Sequence, residues 1–557
     1  MNNSTITLSV DGELQEIRND IAALLDFLQQ QQRESLQVGE KIYNIGEIGQ
    51  AVFQNIIQQA PFLPSKELTL PPFYPEVFIG REDDLKAIHH QLFNENNLLL
   101  LVNGEGGIGK TTIALRYYFT YQNDYQHLAW VFAEQSLLDA LLTLSLPLGV
   151  DFPQAMPNTE RLTLLLRKMA NLQRPCLLII DNANLLEDLE RYYPQLSTCR
   201  NFHLLLTTRI TQFEAAKTYA IQPLAPEKAI ALFQQYYKTE ETELLLQILP
   251  AVGYNTLVIE LLAKNLKNFN QLKNRYSLSD LLQDLQQKGL LALQSKAVNT
   301  LYHSEGALRT EKPEAIIAAM YDLNELSEAE RQLMSIFAVL PAENIPFETL
   351  ETLLPDTEYL DDTLLALAQK GWLDYNETNA AFKCSPVIQE ISRHKNQENL
   401  LVHCKTLLDS LIDKLDYEPG LGHILSGDYE AATLYARYGE SVVNNIEGIN
   451  NNIGILCDSL GNYHKTIGNL NNALNWFEQY SNCLQALTEA FPDNETYKNN
   501  LAISYEKLGA THSALGNLEQ ALRFFEEEQK LKEELFKDFP DNVRFKNGLA
   551  ISYQYLG

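Results

Sequence analysis

The amino-acid sequence predicts a multidomain protein of mixed α/β and α architecture, and three observations support this fold class. Four short apolar runs alternate with amphipathic stretches over residues 71–220, as expected for a doubly wound parallel sheet. Helical patterns fill residues 221–400, and the segment after them contains a repeat with a period of 48 residues. We therefore expect a doubly wound parallel sheet, a helical domain, a winged helix and a C-terminal α-solenoid.

Composition and charge limit the possible classes of function. The 557 residues carry a net charge of −29, and we find no run of lysine or arginine. Nucleic-acid binding usually requires a basic face, so nucleic acid is not an expected partner. No apolar stretch approaches the roughly 20 residues that span a bilayer, and the N-terminus lacks a secretory signal. The six cysteines lack C-x-x-C spacing, which favours free thiols, and we predict a cytoplasmic protein without membrane insertion.

Residues 1–70 are predicted to form an N-terminal helical region and a linker. Five prolines between residues 61 and 75 mark the linker. A lone helix buries little surface, so we expect the leader to contact a partner or another domain. Its apolar residues recur at steps of three and four, as on one face of a helix: Leu14, Ile17, Ile21, Leu24 and Leu28.

Residues 71–220 are predicted to hold the parallel sheet. Amphipathic stretches between the apolar runs predict the crossover helices. Each run is short and continuously apolar, which is typical of strands covered on both faces: Leu98–Gly104, His127–Ala133, Cys176–Ala183 and Phe202–Thr208.

Residues 221–315 are predicted as a helical domain and residues 316–400 as a winged-helix domain. One helix of the second region opens with Ser327 followed by Glu330, the spacing of a capping box. A helix, a two-stranded hairpin and another helix then follow, which predicts the winged helix. Amphipathic helices are expected at three places: Ala225–Tyr237, Leu257–Leu266 and Leu326–Leu340.

Residues 401–557 contain an internal repeat. Residues 490–509 match residues 538–557, and Gly461 and Gly509 keep the same offset of 48 positions. Small and aromatic residues at helix-pair spacing predict a helical solenoid. The unit resembles a tetratricopeptide repeat with lengthened helices. Because the register stops halfway through a helix pair, we expect the native chain to continue.

The glycine-rich stretch Asn103–Thr112 fits two motifs with different chemistry. Gly104, Gly106 and Gly109 satisfy the G-x-G-x-x-G pattern of a dinucleotide site. The eight residues that end at Thr111 satisfy G-x-x-x-x-G-K-T, the pattern of a phosphate loop. Both motifs expect a strand before them and a helix after them, so the surrounding residues must decide.

The residues at and beyond the end of the motif favour the phosphate loop. Lys110 can reach the β- and γ-phosphates, and Thr111 can hold Mg²⁺. A dinucleotide site requires neither and needs an acid about 20 positions further on, for which Glu134 is the candidate. Asp181 ends a later apolar run, where the acid that orients Mg²⁺ belongs. Arg209 follows the next run and supplies a cation for the γ-phosphate.

These motifs, in this order, resemble the STAND class of P-loop ATPases, in particular those with an NB-ARC module. The resemblance covers about residues 76–400 and includes FIGRE, GEGGIGKTT, LLIIDN, LLLTTR, PLAPEKAIALF and the winged-helix segment. It implies ATP or ADP and Mg²⁺ as cofactors, with slow or regulatory hydrolysis. It assigns catalysis to Lys110, Asp181 and Arg209, and the metal to Thr111 and Asp181.

The resemblance also implies which residues contact the nucleotide. Three positions depart from the family pattern. Asn182 replaces a second acid, Asn255 or Thr256 stands where proline is usual, and Ser385 replaces a histidine. The implied contacts within the loop are Gly104, Glu105, Gly106, Gly107, Ile108, Gly109, Lys110, Thr111 and Thr112. Those outside it are Gly80, Arg81, Arg209, Pro223, Thr256 and Ser385.

Proteins of this class act as nucleotide-controlled switches, so the resemblance implies a signalling ATPase, here of prokaryotic antiphage immunity. The implied partners are other copies of the chain, a protein or small-molecule trigger on the repeats, and an effector recruited through residues 1–70. A transcription regulator of the same class, with a DNA-binding winged helix, is the alternative. A passive repeat scaffold is a third possibility. Residues 1–70 fit a helical extension packed on the ATPase core equally well.

Overall fold

The computed structural model divides into two compact units. The first comprises Met1–Lys66 with Ser145–Gln154, and the second comprises Glu67–Leu144 with Ala155–Gly557. Four short strands are described before residue 64. The other described residues are 64–95, 98–133, 136–153, 156–211, 213, 215–271, 273, 275–300, 309–418, 423–424, 429–446 and 448–556.

The described strands of the N-terminal region form two antiparallel hairpins. The predicted helix from Leu14 to Leu28 is wrong where it overlaps the second strand, and its remainder lies outside the described residues. Asp11-Gly12, which follows apolar residues at the alternate positions Ile6, Leu8 and Val10, is the hairpin signal that the helical spacing concealed. The paired strands are β1 (Thr5–Val10) with β2 (Glu13–Arg18), and β3 (Ser35–Val38) with β4 (Lys41–Asn44).

A five-stranded parallel sheet opens the second unit. Its strands are β5 (Leu99–Asn103), β6 (His127–Phe132), β7 (Cys176–Asp181), β8 (Phe202–Thr208) and β9 (Lys217–Ala220). Their spatial order is β6-β7-β8-β5-β9, and each neighbouring pair is parallel. The four strands predicted from apolar runs are confirmed. Because β8 lies between β5 and β7, the residues that follow these three strands meet at one edge of the sheet.

The two outer strands of the sheet differ in their surroundings. The sequence prediction omits β9 because three of its four residues are exposed, so no continuous apolar run marks it. On the opposite side, the end of the proline-rich linker covers β6. Leu68 N donates to Leu128 O at 2.8 Å, and Thr69 Oγ1 exchanges hydrogen bonds with the backbone N and O of Trp130, both at 2.7 Å.

Helices follow or precede the strands of the sheet. They are α1 (Glu82–Phe93), α2 (Lys110–Tyr121), α3 (Leu137–Leu142), α4 (Asn158–Ala170) and α5 (Leu186–Leu196). Every residue of β5, β7 and β8 is buried, as expected for parallel strands covered on both faces. One apolar core joins α1 and α2 to these strands. That core holds the start of α2 rigidly at the edge of the sheet.

A helical segment follows the sheet. Its elements are α6 (Pro226–Tyr236), α7 (Thr242–Ala251), α8 (Thr256–Phe269), α9 (Leu278–Lys288), the antiparallel pair β10 (Val298–Thr300) and β11 (Arg309–Glu311), and α10 (Pro313–Ala318). The helices predicted over Ala225–Tyr237 and Leu257–Leu266 are confirmed as α6 and α8.

The next segment, which we call the hairpin module, contains helices and a small antiparallel sheet of order β12-β14-β13. The predicted capping box at its start is confirmed, because Ser327 N donates to Glu330 Oε2 at 2.7 Å and Glu330 N donates to Ser327 Oγ at 3.3 Å. Its elements are α11 (Glu328–Val339), β12 (Ile345–Pro346), α12 (Phe347–Leu353), α13 (Leu360–Gln369), β13 (Asp374–Asn376), β14 (Ala381–Lys383) and α14 (Pro386–Lys395).

A helical solenoid forms the C-terminal part. Its elements are α15 (Leu400–His403), α16 (Lys405–Lys414), β15 (Tyr417–Glu418), β16 (His423–Ile424), α17 (Tyr429–Asn445), α18 (Asn451–Thr466), α19 (Leu470–Ala490), α20 (Glu495–Ala514), α21 (Leu518–Asp538) and α22 (Val543–Leu556). No helix in the described part of the chain has both the length and the apolar character needed to cross a membrane.

The predicted repeat is visible in the packing of the solenoid. A Cβ atom added at Gly461 would collide with the ring of Phe477, and one added at Gly509 would collide with the ring of Phe525. The two contacts are 48 positions apart in the sequence. Only glycine allows the aromatic ring this close to the neighbouring helix, so the same pair of residue types returns in each repeat.

One fully buried carboxyl lies in the solenoid, that of Glu528 on α21. Neither of its oxygens accepts a hydrogen bond from a described residue, and Lys532 Nζ lies 4.0 Å from Oε1. Burial, reinforced by the charge of Glu506, raises the pKa of Glu528 to about 7. The equivalent positions one repeat earlier hold Tyr480 and Leu484, which are buried without such a cost.

We expect the stability of this part of the solenoid to fall as the pH rises. The folded state favours the protonated carboxyl of Glu528, so its contribution is complete below the ordinary pKa of about 4.5 and is lost as the pH passes about 7. Glu528→Gln should remove the dependence and raise the stability at pH 8 by at most about 3 kcal/mol. Hydrogen exchange of Leu518–Asp538 measures this local stability, once each rate is corrected for the effect of pH on intrinsic amide exchange.

The exposed neighbour Glu527 provides the control for this prediction. Glu527→Gln should leave the pH dependence of exchange in α21 as it is in the unaltered chain. Equal behaviour of the two glutamine variants would contradict the prediction.

Candidate functional site

The residues after β5 form a loop whose glycines take conformations that other residues rarely adopt. The φ angle is +146° at Gly104, +74° at Gly107 and +106° at Gly109. A side chain at Gly107 would also collide with Met320 and Asn255. Gly109 is the N-cap of α2, and the first backbone N–H groups of a helix have no partners within the helix. The loop therefore ends at a group of backbone donors suited to an anion.

Lys110, the first residue of α2, lies along the loop. Its Nζ donates to the carbonyl oxygens of Gly104 and Glu105, at 2.7 and 2.9 Å. Burial, together with the charge of Arg209, lowers the pKa of Lys110 to about 7, whereas the charges of Glu105 and Asp181 act in the opposite direction. An anion next to this amine would favour its charged form.

The start of α8 binds the following carbonyl groups of the loop. Asn255 is at once the N-cap of α8, accepting from Val258 N at 3.3 Å, and a donor to the loop. Sequence reasoning identified this position only as a departure from the family's proline. Three hydrogen bonds result: Asn255 Nδ2 donates to Gly106 O at 2.8 Å, Leu257 N donates to Gly107 O at 2.9 Å, and Thr256 Oγ1 donates to Ile108 O at 2.9 Å.

Arg81 connects the loop to the segment after β9. Its side chain donates from Nη2 to Ile108 O at 3.1 Å and from Nη1 to Gln222 O at 2.7 Å, and it pairs with Asp84 at 3.4 Å. Burial lowers the pKa of Arg81. The arginine thus fixes the carbonyl of Ile108 in the phosphate loop.

Thr111 and Asp181 lie side by side at the edge of the sheet. Thr111 Oγ1 donates to Asp181 Oδ1 at 2.9 Å, and Thr207 Oγ1 donates to the same oxygen at 2.5 Å. Burial raises the pKa of Asp181, although both hydroxyl groups and the charge of Lys110 act in the opposite direction. A hydroxyl and a carboxylate are oxygen ligands of the kind that Mg²⁺ prefers.

Asn182 occupies a turn that explains its residue type. Its φ angle is +64°, a left-handed conformation that asparagine tolerates better than most residues. Its backbone N donates to Thr207 Oγ1 at 2.9 Å, and its side chain accepts a hydrogen bond from Asn184. The amide of Asn182 is therefore a structural group of the turn and supplies no general base.

Arg209 points toward the segment between α10 and α11. Its Nη1 donates to Met320 O at 3.3 Å, and Nη2 lies 3.6 Å from Glu325 Oε2. The guanidinium group also lies over the ring of Tyr321, 5.1 Å from the centroid. Because its charge acts on Lys110, the arginine remains within electrostatic reach of the loop.

Tyr321 contacts the loop directly, and sequence reasoning missed it. Its hydroxyl accepts a hydrogen bond from Gly106 N at 2.8 Å. The ring is buried and packs on Trp372 with the centroids 4.9 Å apart. No local sequence pattern marks this tyrosine, since it lies in the short connection before the capping box of α11.

Ser385 contacts the loop through the side chain of Glu105. Ser385 Oγ donates to Glu105 Oε1 at 2.7 Å and accepts from Ile388 N at 3.3 Å as the N-cap of α14. Burial raises the pKa of Glu105 to about 7, against the hydrogen bond from Ser385, while the charge of Asp374 adds to the increase. Ser385 therefore contacts the loop through a carboxyl group, and its contact with a phosphate stays a prediction.

The remaining predicted residues differ in their burial and in their neighbours. Ile108 is buried and Thr112 is half-buried in the first turn of α2. Gly80, with φ +74°, packs against Lys228 of α6, next to Arg81 rather than against the loop. Pro223 is exposed. Glu134, the acid of the dinucleotide interpretation, lies outside the described residues.

The arrangement fits the phosphates of a nucleotide. Protein donors bind the loop's carbonyl groups from Gly104 to Ile108, and the N-terminus of α2 offers backbone N–H groups. Lys110 would pair with the phosphates, and Thr111 with Asp181 would hold Mg²⁺. When bound, the nucleotide would supply a transferable phosphoryl group.

Part of the chain matches a known domain family. Residues 81–243 match the NB-ARC domain model. No curated protein sequence matches the chain. Among solved structures, the chain is similar at 15% identity to a STAND protein with a tetratricopeptide repeat sensor, PH0952 from Pyrococcus horikoshii, over 89% of this chain and 69% of that one, with a TM-score of 0.28.

Two further solved structures align with shorter parts of the chain. Domain III of the replication initiation protein DnaA from Thermotoga maritima has 15% identity over 40% of this chain and 97% of its own, with a TM-score of 0.26. C. elegans PCH-2 has 12% identity over 36% of this chain and 61% of its own, with a TM-score of 0.20. Scores this low carry no argument about shape or function.

The identification rests on the domain match and on the phosphate loop that the structure places at its centre. Residues 81–243 therefore form a P-loop nucleotide-binding module of the NB-ARC type.

Proposed function

We propose that this ATPase is a ligand-triggered switch that holds ADP in a closed form, exchanges it for ATP, and then assembles to activate an effector. One observation carries the proposal: three parts of the chain outside the parallel sheet bind the phosphate loop. These are the start of α8, the connection that contains Tyr321, and the start of α14 at Ser385. A change at the phosphates therefore changes the surface on which the helical segment and the hairpin module rest.

The energetic requirement of such a switch is moderate. Moving a two-state equilibrium from 1:99 to 99:1 takes about 5.5 kcal/mol of differential binding. Each hydrogen bond between these segments and the loop contributes about 0.5–1.5 kcal/mol net. A trigger on the repeats and a third phosphate could together outweigh the few contacts that hold the closed form.

The polar residues in and near the phosphate loop would have separate chemical roles. Lys110 and Arg209 would balance the charge of the phosphates, and Thr111 with Asp181 would hold Mg²⁺. Asn182 offers no general base at the end of β7, which supports slow, regulatory hydrolysis. Slow hydrolysis suits a switch because the triphosphate form must last long enough for protomers to assemble.

The partners in this proposal are those of the module's relatives in signalling. The solenoid would receive a protein or small-molecule trigger, and residues 1–70 would recruit the effector. The NB-ARC module is shared by plant resistance proteins, apoptosis scaffolds and bacterial defence proteins, which supports a role in prokaryotic antiphage immunity. The genes that neighbour this one in its genome should encode the effector.

The charges of the hairpin module do not support DNA recognition as the alternative. Helix α13 carries Asp361 and Asp362 in its first turn, where a DNA-reading helix needs basic or neutral residues. The other end of α13 faces the parallel sheet, because Thr211 Oγ1 donates to Ala368 O at 2.5 Å. A DNA mobility shift at physiological salt would overturn this conclusion.

Lys110→Ala should abolish the stabilisation that nucleotide gives to the protein. A ligand at a hundred times its Kd stabilises the folded state by about 2.7 kcal/mol, and the variant lacks the cation that pairs with the phosphates. Thermal unfolding with Mg²⁺ and ADP or ATP measures the effect. Lys86→Ala, which alters an exposed lysine of α1 paired with Asp83, should respond to nucleotide like the unaltered chain.

Assembly should depend on the third phosphate. In the presence of the trigger, we expect ATP to increase the mass of the particle measured by light scattering, and ADP to leave it a protomer. Extract from phage-infected cells serves as the source of the trigger. Asp181→Asn should change the nucleotide dependence because it removes the carboxylate proposed for Mg²⁺. A mass that stays the same with every nucleotide and extract would refute the switch.

A further inference from the structure

We infer that Tyr321 determines whether the site favours a diphosphate or a triphosphate. The inference rests on the proposed nucleotide switch and names the residue that makes it selective. In the structure the hydroxyl of Tyr321 accepts the hydrogen bond of Gly106 N, a backbone donor of the phosphate loop. An N–H group has a single proton, so a phosphate oxygen that uses this donor must displace the tyrosine hydroxyl.

The position of the ring makes the hydroxyl more than an incidental contact. A Cβ atom at Gly106 would lie 3.0 Å from Cε2 of Tyr321, so the ring edge lies against the loop itself. Trp372 of the hairpin module supports the ring, and the side chain is 1% exposed. The hydroxyl therefore cannot leave Gly106 by a simple rotation toward solvent, and its displacement requires the connection before α11 to move.

Tyr321 also holds the cation that would otherwise reach a third phosphate. The guanidinium group of Arg209 lies over the ring at 5.1 Å, and its Nη1 donates to the carbonyl of the preceding residue, Met320, at 3.3 Å. Lys110 is bound at the same end of the loop, to the carbonyls of Gly104 and Glu105. Three donors suited to phosphate oxygens are thus engaged by protein acceptors, and Tyr321 contacts two of them.

The neutral state of the tyrosine agrees with this role. Burial raises the pKa of Tyr321 well above its ordinary range, and the charge of Glu105 adds to the increase. The hydroxyl remains protonated at every physiological pH. It can accept from Gly106 N without placing a negative charge against the site, so a diphosphate meets no repulsion from it.

The test is Tyr321→Phe in the full chain, which removes the hydroxyl and keeps the ring between Arg209 and Trp372. We expect the ratio of the Kd for ADP to the Kd for ATP to increase about three- to tenfold, because one hydrogen bond of the closed form is lost. Competition with a fluorescent nucleotide gives both constants without requiring hydrolysis. Hydrogen exchange of the peptide that contains Gly106 should also become faster in the nucleotide-free variant.

Tyr276→Phe is the matched control. It removes the hydroxyl of another buried tyrosine, which donates to Asp284 Oδ2 at 2.8 Å on α9 and does not contact the loop. Its ratio of Kd values should equal that of the unaltered chain, even if its melting temperature falls.

The outcomes separate this inference from the proposed function. If the unaltered chain binds neither nucleotide, the nucleotide switch fails and this inference fails with it. If the unaltered chain binds both but Tyr321→Phe leaves the ratio unchanged, or weakens ADP and ATP equally, only the inference about Tyr321 is overturned. Faster exchange at Gly106 with an increased ratio supports it.

Discussion

The outward orientation of the phosphate-loop carbonyls is the constraint on which the rest of the site depends. A loop can present its N–H groups to an anion only if its carbonyl oxygens face away and find other donors. The donors that do not themselves belong to the phosphate site come from Arg81 before the sheet and from Asn255 and Thr256 at the start of α8. Distant parts of the chain therefore determine the shape of the loop. The binding of a nucleotide to the loop would depend on the positions of those parts.

The contacts from the hairpin module differ in kind from those of α8. The donors of α8 bind carbonyl oxygens, which no phosphate competes for, so these contacts can persist in every nucleotide state. Tyr321 instead takes an N–H group, and Ser385 takes the carboxyl of Glu105. Under the proposed function, the attachment through α8 would therefore persist when phosphates bind, whereas the contact between Tyr321 and Gly106 would be displaced. The hairpin module would then move while the helical segment stays on the sheet.

Sequence reasoning was most successful where the signal is local. Lys110 and Thr111 lie within one motif, and Asp181 ends an apolar strand, so a strand-end rule brings it beside Thr111. Tyr321 and Asn255 contact Gly106 from 215 and 149 residues away, and no short pattern encodes such a distance. The part of the predicted N-terminal helix that overlaps β2 was wrong for the opposite reason, because its spacing is local but ambiguous. Whether the predicted residues bind nucleotide remains a prediction.

A continuous apolar core connects the solenoid to the module that touches the loop. One cluster of buried side chains runs from the helical segment through the hairpin module into α17 and α18. Polar contacts reinforce the junction, because Ser441 Oγ donates to Val339 O at 2.8 Å and Arg437 pairs with Glu343 at 2.7 Å. Packed cores resist continuous deformation, so the proposed trigger, by shifting the first solenoid helices, would also shift the hairpin module. The connection that carries Tyr321 directly precedes α11 of that module, so such a movement would act on the contact between Tyr321 and Gly106.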